Sequence, residues 1–320
     1  MAEIEGLVRA LREGDDAAKA EAALTMVRLT YYDDANGVAI AEAGGIAPLV
    51  DLLRDGSAKA KLLAVATLGN LACGNVTNQA LIAEAGGIAP LVDLLRDGSA
   101  EAKEESARAL GNLAYDGATR VLIAEAGGIP PLVDLLRDGS ADAQLLAARA
   151  LCNLACNNAA NRVAIAEAGG VPPLVELLHD GSADAKFEAA GALCSLACNN
   201  IANKTLIGEA GGVPLLVELL RNGSADAKTE AAAALRNLAG NNDANTIAIA
   251  VLIGLEALAE LARDGGVTVD DESVVRNAGI AAKRKAALVV AALLRACVPD
   301  EVRGRADVQD VIRGVIGAYL

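Results

Sequence analysis

Apolar positions along this chain fall into short helical blocks set apart by Gly-Gly, Asp-Gly and Asn-containing punctuation, and the blocks return at a fixed interval. The string Ala-Gly-Gly-Ile/Val recurs with its first glycine at Gly44, Gly86, Gly127, Gly169 and Gly211, at intervals of 42, 41, 42 and 42 residues. Self-similarity at about 40–47 residues predicts a stacked helical solenoid. A further copy lies one interval on, reduced to Ile253-Gly254-Leu255, and Gly14 stands one interval before Gly56, so a copy lacking its first helix opens the chain.

Each copy reads as three helices. A short one is predicted to start behind Asn36, Asn78, Thr119, Asn161, Asn203 or Asn245, all residues that cap helix N-termini well. It ends at the glycine pair, where the first glycine can take the left-handed conformation. The second runs as Ile46-Ala47-Pro48-Leu49-Val50-Asp51-Leu52-Leu53, with proline in the first turn, where no N–H is missed. Pro90, Pro130, Pro131, Pro172, Pro173 and Pro214 fall in the same stretch, which stops at Asp55-Gly56 and its equivalents. The third begins with Ser57, Ser99, Ser140, Ser182 or Ser224 as N-cap and lasts about four turns, for example Ala100–Ala114.

Gly-Gly-Ile-x-Pro-Leu-Val-x-Leu-Leu followed by Ala-x-Ala-Leu-x-Asn-Leu-Ala resembles the armadillo consensus of the importin-α and β-catenin superfamily, over roughly residues 2–264. The resemblance implies an all-α fold: a right-handed superhelical armadillo-repeat solenoid with three helices per ~42-residue repeat. Residues 1–320 are read as a single armadillo-repeat domain, with an N-terminal partial repeat or cap at 2–33 and tandem repeats at 34–264. A modified last repeat with an insertion and a C-terminal cap is expected at 265–320. There the acidic, then mixed, stretch 267–279 precedes a long helix near Ala281–Cys297 and a final one near Asp307–Leu320.

In armadillo families the third helices line a concave groove that holds extended peptides, and the resemblance implies such a groove here. Its key residue is the asparagine of Leu-x-Asn-Leu-Ala, present as Asn70, Asn112, Asn153 and Asn237, with Arg28 and Ser195 at the same position in two other copies. A carboxamide carries both a donor and an acceptor and so can match one peptide unit. The competing reading is that it bridges neighbouring repeats. One turn earlier, importin-α-like proteins carry tryptophans that sandwich lysine side chains. Here those positions hold Leu24, Ala66, Arg108, Arg149, Gly191 and Ala233, which removes the aromatic slots. Arg108 and Arg149 look more like the basic groove of β-catenin, where cations grip acidic segments. Glu105, three residues before Arg108, offers it an intrahelical partner instead, whereas Arg149 has Leu146 there. A further turn back stand Glu21, Leu63, Glu105, Leu146, Glu188 and Glu230. The matching partner is an extended segment with apolar anchors, an acidic residue near Arg149, and basic residues toward Glu188 and Glu230.

Composition limits the chemistry. Twenty-eight Lys+Arg against 42 Asp+Glu give a formal charge of −14, unfavourable for contact with nucleic-acid phosphates. The one histidine, His179, stands where Arg54, Arg96, Arg137 and Arg221 stand elsewhere, so His-based zinc ligation and a Ser–His–Asp site gain no support. Cys73, Cys156 and Cys198 recur at one position, which suits small packed side chains in a reducing compartment better than a metal site. Apolar runs such as Ala286–Leu294 stay well under the ~18 residues of a membrane span. The acidic Met1–Glu5 start is unlike a signal peptide. The expectation is therefore a non-enzymatic, cofactor-free interaction scaffold of the cytoplasm or nucleus. It would bind other proteins through extended segments, with no nucleic acid and no membrane, as a monomer. The alternative is an assembly module that self-associates, for example through the apolar tail Val311–Leu320. Near-identity of the copies fits either recent duplication or an engineered consensus-like scaffold.

Overall fold

The computed structural model describes residues 2–264, all helical apart from their connections. The predicted 267–279 insertion, the two C-terminal helices and the 311–320 tail lie outside the described residues. An opening helix pair, α1 (Ala2–Glu13) and α2 (Asp16–Tyr32), precedes five triplets. They are α3 (Asp34–Glu42), α4 (Ile46–Asp55) and α5 (Ala58–Ala72); α6 (Val76–Glu84), α7 (Ile88–Asp97) and α8 (Ala100–Leu113); and α9 (Gly117–Glu125), α10 (Ile129–Asp138) and α11 (Ala141–Ala155). After them come α12 (Ala159–Glu167), α13 (Val171–Asp180) and α14 (Ala183–Ala197), then α15 (Ile201–Glu209), α16 (Gly212–Asn222) and α17 (Ala225–Ala239). A single α18 (Asp243–Asp264) follows. Two compact units divide the described residues, with the boundary after Leu174, inside α13.

In the first unit the third helices pack in series, α2 on α5, α5 on α8 and α8 on α11, while α4 contacts α1 and α7, and α7 contacts α10. The seam between third helices is built largely of alanine: Ala64, Ala107, Ala109, Ala147, Ala148 and Ala150 are fully buried. Such small side chains let two helices approach closely. The second helices contribute the large apolar groups, such as Leu49, Val50, Leu91 and Leu132. In the second unit α14 packs on α17, and α16, α17 and α18 pack together.

The turn chemistry agrees with the sequence at the third helices and the glycine pairs. Ser57, Ser99, Ser140, Ser182 and Ser224 each accept a hydrogen bond from the backbone N–H three residues on. Gly44, Gly86, Gly127, Gly169 and Gly211 all take positive φ, between 71° and 81°.

Two expectations need correction. The first helices start three residues earlier than Asn36, Asn78, Thr119, Asn161 and Asn203, behind Asp33, Asn75, Asp116, Asn158 and Asn200 as caps. The later residues face inward: Asn78 Nδ2 donates to Leu71 O at 2.9 Å, Asn161 Nδ2 to Leu154 O at 2.9 Å and Asn203 Nδ2 to Leu196 O at 3.1 Å. They fasten each short helix to the carbonyl end of the preceding third helix. The second correction is at Ile253-Gly254-Leu255, where the copy was expected to break. α18 runs straight through, because without a second glycine there is no turn to end the helix.

Ser106 in α8 is fully buried, and its hydroxyl has no hydrogen-bond partner. The same position holds Ala64, Ala147, Ala189 and Ala231 in other copies. Ser106→Ala is expected to stabilise the protein by about 1 kcal/mol, since a buried unpaired hydroxyl carries a desolvation penalty of that order. A urea midpoint that fails to rise would show that the hydroxyl finds a partner.

Candidate peptide-binding face

The third helices carry three rows spaced one turn apart. In the first unit these are Leu63, Glu105 and Leu146; Arg108 and Arg149; and Asn70, Asn112 and Asn153. In the second unit they are Glu188 and Glu230, followed by Ser195 and Asn237. All twelve are half-buried.

The asparagines form a ladder between copies. Asn112 Nδ2 donates to Gly69 O, Asn153 Nδ2 to Gly111 O and Asn237 Nδ2 to Cys194 O, each at 3.0 Å. The acceptor is always the residue just before the matching position of the preceding third helix. This repeated geometry gives the bridging that the sequence left as one of two readings. Each backbone bond takes one Nδ2 hydrogen, and Asn237 Nδ2 also reaches Cys194 Sγ at 3.3 Å. A carboxamide has a second hydrogen and further acceptor capacity beyond one such bond.

Asn70 differs. Its Nδ2 donates to Thr30 Oγ1 at 3.1 Å, and its Oδ1 accepts from Arg108 Nη1 at 2.9 Å. Arg108 also donates through Nε to Glu105 Oε2 at 3.0 Å, contacts the same oxygen through Nη2, and reaches Ala66 O at 3.4 Å. The intrahelical pairing therefore holds Arg108, and both ends of Asn70 are engaged inside the protein. Leu146 leaves Arg149 no carboxylate at the corresponding position of its own helix.

Glu230 lies near Glu188 on the packed helices α14 and α17. Burial, and then the like charge of Glu188, push its carboxyl above the ordinary carboxylate range. Cys194, beside them, accepts from Asn237 Nδ2 at 3.3 Å. Its thiol is pushed up to about 11, chiefly by burial and then by Glu230, so it stays protonated and weakly nucleophilic near neutral pH. Cys73, Cys156 and Cys198 are the C-caps of α5, α11 and α14. His179 is exposed at the end of α13, its Nδ1 2.5 Å from Asp180 Oδ1. Arg54, at the equivalent position, does more: Nη2 reaches Gly86 O of the next copy at 3.0 Å.

A second polar row was not picked out in the sequence. Gln79, Arg120, Arg162, Lys204 and Thr246 follow the inward-facing Asn/Thr residues, and each donates to the carbonyl end of a third helix. Arg120 makes three such bonds, to Ala114 O at 2.7 Å, Tyr115 O at 2.8 Å and Cys156 O at 3.1 Å. A cation is favoured there by the negative end of the helix dipole. The signal in the sequence was a long polar side chain recurring beside Asn78, Thr119, Asn161 and Asn203. Its purpose depends on which carbonyls come near.

Among the described residues no single helix is long and apolar enough to cross a membrane. No curated protein matches the sequence. Solved structures do. An engineered protein is 35% identical over 74% of this chain and 97% of its own, with a TM-score of 0.70. A designed armadillo repeat protein in complex with the peptide (KR)4 is 32% identical over 73% of this chain and 99% of its own, with a TM-score of 0.67. A further engineered protein, 31% identical, covers 99% of this chain with 78% of its own length, at a TM-score of 0.79. The family model of the armadillo/β-catenin-like repeat matches residues 34–73, 75–115, 118–156, 158–198 and 200–240, and the chain thus belongs to the armadillo repeat family.

Proposed function

We propose that the third-helix faces bind extended peptide segments of partner proteins and that the chain is a non-enzymatic interaction scaffold. The observation that carries this is the asparagine ladder. Asn112 and Asn153 in one unit, and Asn237 in the other, are each held by the backbone behind them and stay half-buried, so a carboxamide recurs at one place on the third helices. Packed helices lie about 8–10 Å apart, which corresponds to roughly three residues of extended chain. A stretched guest backbone can therefore meet one carboxamide per repeat without refolding.

Side chains set polarity. Arg149 and Leu146 suit an acidic residue beside an apolar anchor, and Glu188 with Glu230 suits Lys or Arg. A basic side chain there offsets the burial and then the like charge of Glu188 that raise the Glu230 carboxyl. The designed relative that holds (KR)4 is a precedent for basic guests on this fold.

Peptide arrays probed with wild type, Asn112→Ala/Asn153→Ala and Arg149→Glu test the proposal. The double variant is expected to weaken its clients about tenfold or more, given about 1 kcal/mol per lost hydrogen bond. The Arg149→Glu variant is expected to shift the ranking from acidic toward basic peptides. Unchanged rankings in both would exclude the groove. Binding of a lysine-rich peptide is also expected to strengthen as pH rises through the raised Glu230 titration. Only the deprotonated carboxylate attracts the cation, and Glu230→Gln should flatten that part of the profile.

A further inference from the structure

The first helices of the first unit present a second, chemically different surface. Every exposed residue of α6, α9 and α12 is Val, Leu, Thr, Ala or Gly, except for one glutamate closing each helix: Glu84, Glu125 and Glu167. The second helices of the same copies differ, exposing Asp93, Arg96 and Asp97 on α7 and Asp134, Arg137 and Asp138 on α10. Apart from Val76 at the start of α6, the large members of the uncharged set are Leu81, Val121, Leu122 and Val163, each 37–43% exposed. Each stands three or four residues before its glutamate, on the same helix face one turn away. The helices are neighbours: α6 packs on α9, and Asn161 Nδ2 of α12 donates to Arg120 O of α9 at 3.3 Å. An apolar strip therefore crosses three helices beside a parallel row of carboxylates.

We infer that this strip is a docking surface for a basic amphipathic α-helix of a partner protein. Three physical points select that occupant. The strip's apolar side chains offer no hydrogen bonds, so a guest must satisfy its own backbone, which a helix does and an extended segment does not. Helix rise also matches: seven residues advance about 10.5 Å, close to the ~10 Å step between packed helices, so one seam position returns at each repeat. Finally, the glutamate row calls for Lys or Arg flanking the seam. A second copy of this chain would bring the same glutamates and a formal charge of −14, and anionic lipid or nucleic acid would meet the same repulsion. This surface uses none of the third-helix residues, so it stands or falls separately from the peptide-binding face.

The probe is a fluorescein-labelled synthetic helix of about three heptads, with leucine along the seam and lysine flanking it. Its anisotropy is titrated with the full chain at physiological salt. The wild type is expected to bind it at least about tenfold tighter than a scrambled peptide of the same composition. Val121→Gln/Leu122→Gln is expected to weaken binding about tenfold by removing apolar area. Separately, Glu84→Gln/Glu125→Gln/Glu167→Gln is expected to weaken it by a similar factor and to reduce its salt dependence. All replaced side chains are exposed, and unchanged circular dichroism confirms that the fold is kept. Equal binding of the scrambled peptide would overturn the inference, as would indifference to either variant. So would light scattering that shows a dimer broken by Val121→Gln/Leu122→Gln, since the strip would then belong to a second copy.

Discussion

Arg120→Ala is expected to cost about 3 kcal/mol, among the largest losses available from a single side chain that is not part of the apolar core. The guanidinium of Arg120 donates to three carbonyls, two at the end of α8 and one at the end of α11. These are terminal carbonyls that no later turn of their own helices satisfies. A hydrogen bond from a charged donor contributes about 1.5–3 kcal/mol when well shielded. Arg120 is only half-buried, so solvent screening takes each of its three bonds below that shielded range, to a total of about 3 kcal/mol. Lysine fills the corresponding position as Lys204, donating to Gly240 O, so Arg120→Lys should recover about half of the loss. Arg137→Ala is the control. That arginine has an exposed pairing with Asp134 at 3.3 Å, and such pairs contribute about 0–1 kcal/mol. Urea midpoints followed by circular dichroism compare the three variants. If Arg120→Ala were no worse than Arg137→Ala, the carbonyl ends would not depend on that cation.

Gly128→Ala is expected to cost about 2–3 kcal/mol, more than the ~1 kcal/mol expected for Gly127→Ala. The order is the reverse of what dihedral angles suggest. Gly127 has φ of 76°, a conformation that favours glycine, but an added Cβ there would meet nothing nearer than Arg96 Nη2 at 3.7 Å. Gly128 has an ordinary φ of −75°. Its added Cβ would stand 2.8 Å from Ile123 Cγ2, 3.0 Å from Ile123 O and 3.2 Å from Val92 Cγ2. Ile123 O cannot readily retreat, because it accepts the Gly128 N–H at 2.9 Å and so closes the turn. The first glycine is thus needed for its conformation and the second for lack of room. The same crowding recurs at Gly45, Gly87, Gly170 and Gly212. Thermal unfolding of the two single variants measures the order directly, and a larger drop for Gly127→Ala would refute it.

The repeat interval, the serine caps, the glycine turns and the third-helix rows were all legible in the sequence, since each rests on residues a few positions apart. The caps of the first helices were misplaced because Asn75 and Asn78 are both good capping residues. The choice between them depended on the α5 carbonyls that draw Asn78 inward. For Arg108 the sequence offered both a groove role and a pairing with Glu105, and the fold adds a third partner, Asn70, 38 positions away. Nothing local could have supplied that contact.

The sequence by itself determined the family, the helix triplets and which residues share a helix face, because helical periodicity and turn chemistry act over one or two turns. Tertiary structure alone decided what those faces do. It spent one hydrogen of each ladder asparagine on the helix behind it and brought Glu188 near Glu230. It also set long polar side chains against carbonyls some 36 positions away. The physical reason is that burial, charge proximity and hydrogen-bond partners belong to the space between repeats, and the order of residues within one repeat does not specify that space.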